Sequence, residues 1–127
     1  MAADQPPDAS TRLAADRTRL ALERTLMAWI RTCTSLIAFG FTIYQFFLYQ
    51  STNERIRREP LISPEVFGVL MILVGLTALA LAWIQHHNEM KALRASFGAM
   101  PYSIAAIVAG FIAGLGVIAL IGVTLRV

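Results

Sequence analysis

An all-α membrane protein with three transmembrane helices, the first extended into the cytoplasm, is the fold class the sequence predicts, and three observations predict it. Hydrophobic residues fill 57% of the 127 positions and charged residues only 15%. With a mean hydropathy of +0.61, this is more apolar surface than one soluble core of that length readily hides. The apolar residues fall in three continuous runs, each close to the ~20 residues that a spanning helix needs. Those runs also lack the every-second-residue alternation of a transmembrane barrel strand. The same composition excludes other classes. The length leaves little room for a soluble catalytic domain beside a membrane bundle. A net charge of +3 is too small an excess for a nucleic-acid binder. The single cysteine, Cys33, can form neither an internal disulfide nor a thiolate metal cage, and reads as a packing residue.

Taken in order, residues 1–11 read as a polar, disordered tail without the basic, apolar and small-residue segments of a secretory signal. Ser10 or Thr11 is placed to cap a helix that begins near Arg12. No glycine or proline intervenes before Phe39, so this helix is expected to enter the first span, residues 26–49, without a break. The second span, 66–84, contains no charge and follows Pro64 and Glu65, a proline and an acid where a helix start favours both. The third, 102–125, follows Pro101 and is closed by Arg126. Residues 12–127 thus form one three-helix transmembrane domain.

Lysine and arginine near the spans resist translocation, so their distribution predicts orientation. Arg12, Arg17, Arg19 and Arg24 share one side with Lys91 and Arg94 of the second connector, against Arg55, Arg57, Arg58 and Arg126 on the other. The bias places the N-terminus in the cytoplasm and the C-terminus outside. Trp29, Trp83 and Tyr102 then fall near the inner interface and Tyr44 and Tyr49 near the outer one, where amphipathic rings settle.

The chemistry concentrates on the first helix. Arg17, Arg24 and Arg31 stand seven apart, two helical turns from one to the next, and so share a face at increasing depth. Outward the stripe continues through Ala28, Ser35, Ala38, Thr42 and Gln45, small or polar residues that suit a helix interface or a wet lumen. An arginine at mid-span costs ~2.5–3.5 kcal/mol on insertion scales. Arg31 lies roughly 7 Å inside Leu26, so it either snorkels to the headgroups or faces an anion. Arg17 and Arg24 attract anionic lipid, worth about 1 kcal/mol each near the surface, or an anionic solute. Glu23 reads as a partner that fixes an arginine rotamer, since nothing nearby supplies a nucleophile or metal.

Elsewhere the residues point to packing and solvation. His86, His87 and Glu89 offer ligand types, but adjacent histidines on a helix diverge by about 100° and no further ligand has suitable spacing. They read as a solvated helix end, with no metal and no cofactor. Arg55, Arg57 and Arg58, interleaved with Glu54 and Glu59, read as a mixed-charge outer turn. Ala106, Gly110 and Gly114 repeat every four residues along the third span, joined later by Gly122, while Gly68 and Gly75 mark the second. Such small residues let helices approach closely in lipid. Three helices cannot by themselves enclose a hydrated path lined by the arginines, so a functional arginine face implies a homo-oligomeric ring.

The segment Glu23-Arg24-Thr25 followed by Trp29, Arg31 and Thr32 sets an acid, two arginines, two hydroxyls and an indole at the mouth of a span. This segment, with three spans in order and spacing, resembles the YidH-like small bacterial inner-membrane proteins known as domain of unknown function family 202. The same domain forms the membrane part of the eukaryotic vacuolar transporter chaperone, a polyphosphate polymerase. The resemblance implies a bacterial inner-membrane location. It also implies a ring, a pentamer on the family pattern, around a pore whose basic cytosolic mouth receives phosphate chains. Arg24 then matches the mouth residue, with Arg17 one heptad before it and Arg31 a feature of the bacterial branch. Glu23, Thr25, Trp29 and Thr32 are the supporting residues. Polyphosphate synthesis is not implied, because the sequence lacks the polymerase and phosphate-sensing domains. The expected function is an oligomeric inner-membrane protein with a basic vestibule for phosphate-rich anions. The alternative is a structural or accessory subunit that holds lipid headgroups and partner proteins. An enzyme is disfavoured by the lack of any nucleophile, base and metal constellation.

Overall fold

In a computed structural model, which describes residues 6–53 and 63–125, the chain forms three helices, α1 (Ala9–Asn53), α2 (Pro64–Phe97) and α3 (Ile104–Leu125). No strand occurs among the described residues, and all three helices are long and apolar enough to cross a membrane. The predicted fold class and the continuity of the first helix are both observed. The arginine-rich turn of residues 54–59, the first five residues and Arg126 lie outside the described residues.

Helix boundaries differ from the sequence expectation for local reasons. α1 begins at Ala9 rather than near Arg12, because the Arg12 amide already donates to the Asp8 carbonyl at 3.0 Å. Ser10 and Thr11 are therefore inside the first turn, and no proline beyond Pro7 hinders the start. α2 runs thirteen residues past Ile84 to Phe97. The apolar run ends at Ile84, but nothing breaks a helix until Gly98, whose φ of 86° and amide bond to the Arg94 carbonyl at 2.9 Å stop it. α3 starts at Ile104, where the Ser103 hydroxyl accepts the Ala106 amide at 3.2 Å as an N-cap.

The core follows heptad-like stripes. Leu26, Ile30, Cys33, Ile37 and Tyr44 of α1 are buried against α2 and α3, with Cys33 wholly enclosed. α2 contributes Gly68, Ile72, Gly75, Leu79 and Ala82, spaced by fours and threes, and α3 contributes Ala105, Ala109, Gly116 and Val123. The α2 glycines serve packing within the chain. A Cβ on Gly68 would lie 2.8 Å from the Gly40 carbonyl oxygen, and one on Gly75 would lie 2.8 Å from Ile37 Cγ1. Such close approach matters in lipid, where helices are held by packing more than by exclusion of water. Tyr44 does more than mark a membrane interface. It is buried, and its hydroxyl donates to the Val123 carbonyl at 3.2 Å, tying α1 to the last turn of α3.

The α3 small-residue series divides in two. Ala106 packs partly buried against the chain's own core. Gly110, Gly114 and Gly122 have open space where a side chain would stand, leaving a smooth patch on the outside of the helix.

Candidate functional site

Arg17, Arg24 and Arg31 are all exposed. Each precedes by two residues a position that faces inward, respectively Arg19, Leu26 and Cys33. Two residues are about 200° of helical rotation, so the arginine stripe lies directly across α1 from the face that α2 and α3 cover. The sequence predicts one shared face, and the described residues leave that face uncovered.

Arg24 and Arg31 line one open hollow of about 430 Å³ with Leu20, Glu23, Met27 and Ala28. Arg17, a heptad further out, does not contribute to it. Glu23 sits in the hollow, but the arginine it pairs with is Arg19, at 3.9 Å one turn earlier. Among the described residues, Arg24 and Arg31 have no carboxylate within salt-bridge distance. Two guanidinium groups lining one hollow, with Glu23 beside them paired instead to Arg19, offer donors suited to phosphate or carboxylate oxygens, which a planar fork grips in pairs.

Of the supporting residues, Glu23 lies there but Thr25, Trp29 and Thr32 do not. Thr25 and Trp29 turn toward α2 and line a separate, narrow space of about 20 Å³ with Gln85, His86 and Glu89. The Thr25 hydroxyl donates to the Ala21 carbonyl at 3.0 Å and that of Thr32 to the Ala28 carbonyl at 3.2 Å, so both hydroxyl protons are committed to the helix itself. Residues adjacent in the motif point 100° apart on a helix, which is why a contiguous segment serves two faces.

One polar group was missed. His86 was read as solvated, yet it is only 5% exposed, enclosed where all three helices meet. Its Nε2 stands 3.2 Å from the Ser103 hydroxyl, while Nδ1 has no hydrogen-bond partner among the described residues. Burial pushes the imidazole below the usual histidine range, opposed by the Glu23 and Glu89 carboxylates and the Leu22 carbonyl, and reinforced by His87. The clue lay in spacing: His86 and Met90 continue the buried α2 stripe from Gly68 through Ala82. His87 and Glu89 lie off that stripe, and no group of three or more metal-binding side chains occurs among the described residues.

No curated protein and no solved structure matches the chain. A family model does match, over residues 17–92, a stretch that takes in the arginine stripe, the first two spans and His86. On that match, which covers more than half its length, this three-helix membrane protein belongs to the family described as Domain of unknown function (DUF202).

Proposed function

We propose that the protein forms a homo-oligomer in which copies of α1 turn their arginine faces toward a common axis, creating a basic cytoplasmic vestibule that binds phosphate-rich anions such as polyphosphate. The observation that carries this reading is the placement of Arg17, Arg24 and Arg31 on one face of α1 that the described helices leave bare. A deep arginine such as Arg31 favours protein, water or an anion over lipid, and a neighbouring copy supplies that environment. The shared hollow of Arg24 and Arg31 gives the anion a seat, and conduction through the ring is the extension of the same reading.

Calorimetric titration of the purified protein with polyphosphate is the test. Wild type should bind more tightly than Arg17→Gln with Arg24→Gln by about thirtyfold, the loss expected from removing two charge-assisted contacts of roughly 1 kcal/mol each. Binding should weaken as salt rises, because the outer contact is screened. Equal binding by wild type and variant, or no binding at low salt, would favour the accessory-subunit reading, in which the arginines hold lipid headgroups.

Assembly has its own readout. Gly110→Leu with Gly114→Leu fills the smooth outer patch of α3 and should reduce the assembled mass in light scattering. An unchanged mass would place the interface elsewhere. Orientation is tested with Cys33 removed and cysteines introduced at Ala3 and Val127. A membrane-impermeant thiol reagent on intact cells should label Val127→Cys alone, and labelling of Ala3→Cys alone would reverse the topology.

A further inference from the structure

A second polar recess lies away from the arginine face, between the end of α2 and the start of α3, with a volume of about 320 Å³. Trp83, His86, His87, Met90 and Arg94 border it from α2, and Tyr102 and Ser103 from the approach to α3. Of these, Trp83, His87 and Arg94 stand at i, i+4 and i+11, which is one stripe of a helix. The Trp83 and His87 rings stack, 5.6 Å between centroids and 15° between planes, forming a flat wall. Met90, Ala106 and Ile107 make an apolar floor, and Ile107 is 66% exposed toward the outside of the bundle.

Among the described residues, no carboxylate lines the recess. Glu89, the acidic residue nearest along α2, belongs to the space on the α1 side. Arg94 and the positive end of α3 therefore meet the recess unopposed. Its depth also fits: Trp83 sits at the end of the uncharged run that closes at Ile84, where indole rings mark a membrane interface.

We propose that this recess is a binding site for the headgroup of an anionic phospholipid. Arg94 and the α3 N-terminus engage the phosphodiester, the Trp83 and His87 wall flanks the glycerol region, and an acyl chain follows Ile107 into the bilayer. The apolar floor distinguishes this occupant from a free phosphate ion, which has no use for Met90 and Ile107. The site is independent of the arginine stripe on α1 and of what that stripe binds.

Trp83 reports on it directly, since the chain has two tryptophans and Trp29 can be changed to phenylalanine. Trp29→Phe protein is reconstituted in phosphatidylcholine vesicles containing a small, equal fraction of brominated phosphatidylglycerol or brominated phosphatidylcholine. The quenching should correspond to an enrichment of the anionic lipid beside Trp83 of about fivefold, the partition that one arginine near headgroups supplies. Adding Arg94→Gln should bring the two lipids to equal quenching. Equal quenching in the parent protein would overturn the proposal and leave only bulk lipid. Relief of quenching by inorganic phosphate would assign the recess to a soluble ion and overturn it too. Loss of the preference in Arg24→Gln rather than Arg94→Gln would move the lipid to α1, with the same consequence.

Discussion

Gly68→Leu should abolish the folded three-helix unit, and Gly68→Ala should already lower its melting temperature in detergent. The Gly68 and Gly40 backbones are in reciprocal contact: a Cβ on either would come within 2.8 Å of the other's carbonyl oxygen. Tyr44 Cβ stands 3.0 Å from the Gly68 position and Met71 Cβ 2.9 Å from that of Gly40. None of these atoms is the tip of a flexible side chain, so relief requires the helices to separate. Overpacking of this kind costs about 1–3 kcal/mol for small additions and more for large ones. Separation would also unseat Tyr44 and its bond to Val123. Gly110→Leu is the matching control, because nothing lies within 4 Å of its added Cβ, and its monomer should retain its tertiary near-ultraviolet signal. A Gly68→Leu protein that melts like wild type would show that the α1–α2 contact is looser than described.

The second large effect centres on His86 and Ser103. Ser103→Ala removes the α3 N-cap, worth about 1 kcal/mol, and leaves His86 Nε2 buried without its partner, a further cost of about 1–3 kcal/mol. The melting temperature should fall accordingly, as read by thermal denaturation in detergent. The pH dependence has a definite sign. Because burial holds the folded-state pKa of His86 below its unfolded value, the unfolded chain binds the proton more readily. Stability is then fully present above the ordinary histidine pKa and is lost as pH falls through that value toward the folded one. Glu23 and Glu89 approach the same ring from α1 and α2, and His87 neighbours it on α2. The comparison therefore belongs above the carboxylate range, between about pH 5 and 7.5. His86→Gln should flatten the decline, whereas His87→Gln, at an exposed position, should keep it. A slope unaltered by His86→Gln would trace the dependence to another group.

The three spans were legible because uncharged runs of this length have few other destinies. What sequence hydropathy could not show was the helix that outlasts its apolar stretch. α2 continues through Gln85–Phe97 on good local helix propensity until Gly98 supplies a stop. The arginine face was legible from spacing alone, since Arg17, Arg24 and Arg31 obey one period. The inner role of His86 was obscured by its neighbour His87, a residue of the same type pointing elsewhere. Only the stripe running back to Gly68 separates the two. Thr25, Trp29 and Thr32 were grouped with Arg24 by proximity along the chain, and helical rotation carried them to other surfaces.

α1 is 45 residues long, about 67 Å from end to end at helical rise, against a hydrocarbon thickness of about 30 Å. With Leu26 at the hydrocarbon border, Arg24 lies about 3 Å and Arg17 about 13 Å beyond it along the axis, while Arg31 lies about 7 Å within. Salt shortens the reach of an exposed charge to about 8 Å at physiological strength. Arg17 thus stands in electrolyte, Arg24 among headgroups and Arg31 where the dielectric constant falls and the same unit charge is felt several times more strongly. The stripe is a graded electrostatic slope: under the proposed vestibule reading, an anion would meet each arginine with less screening than the one before.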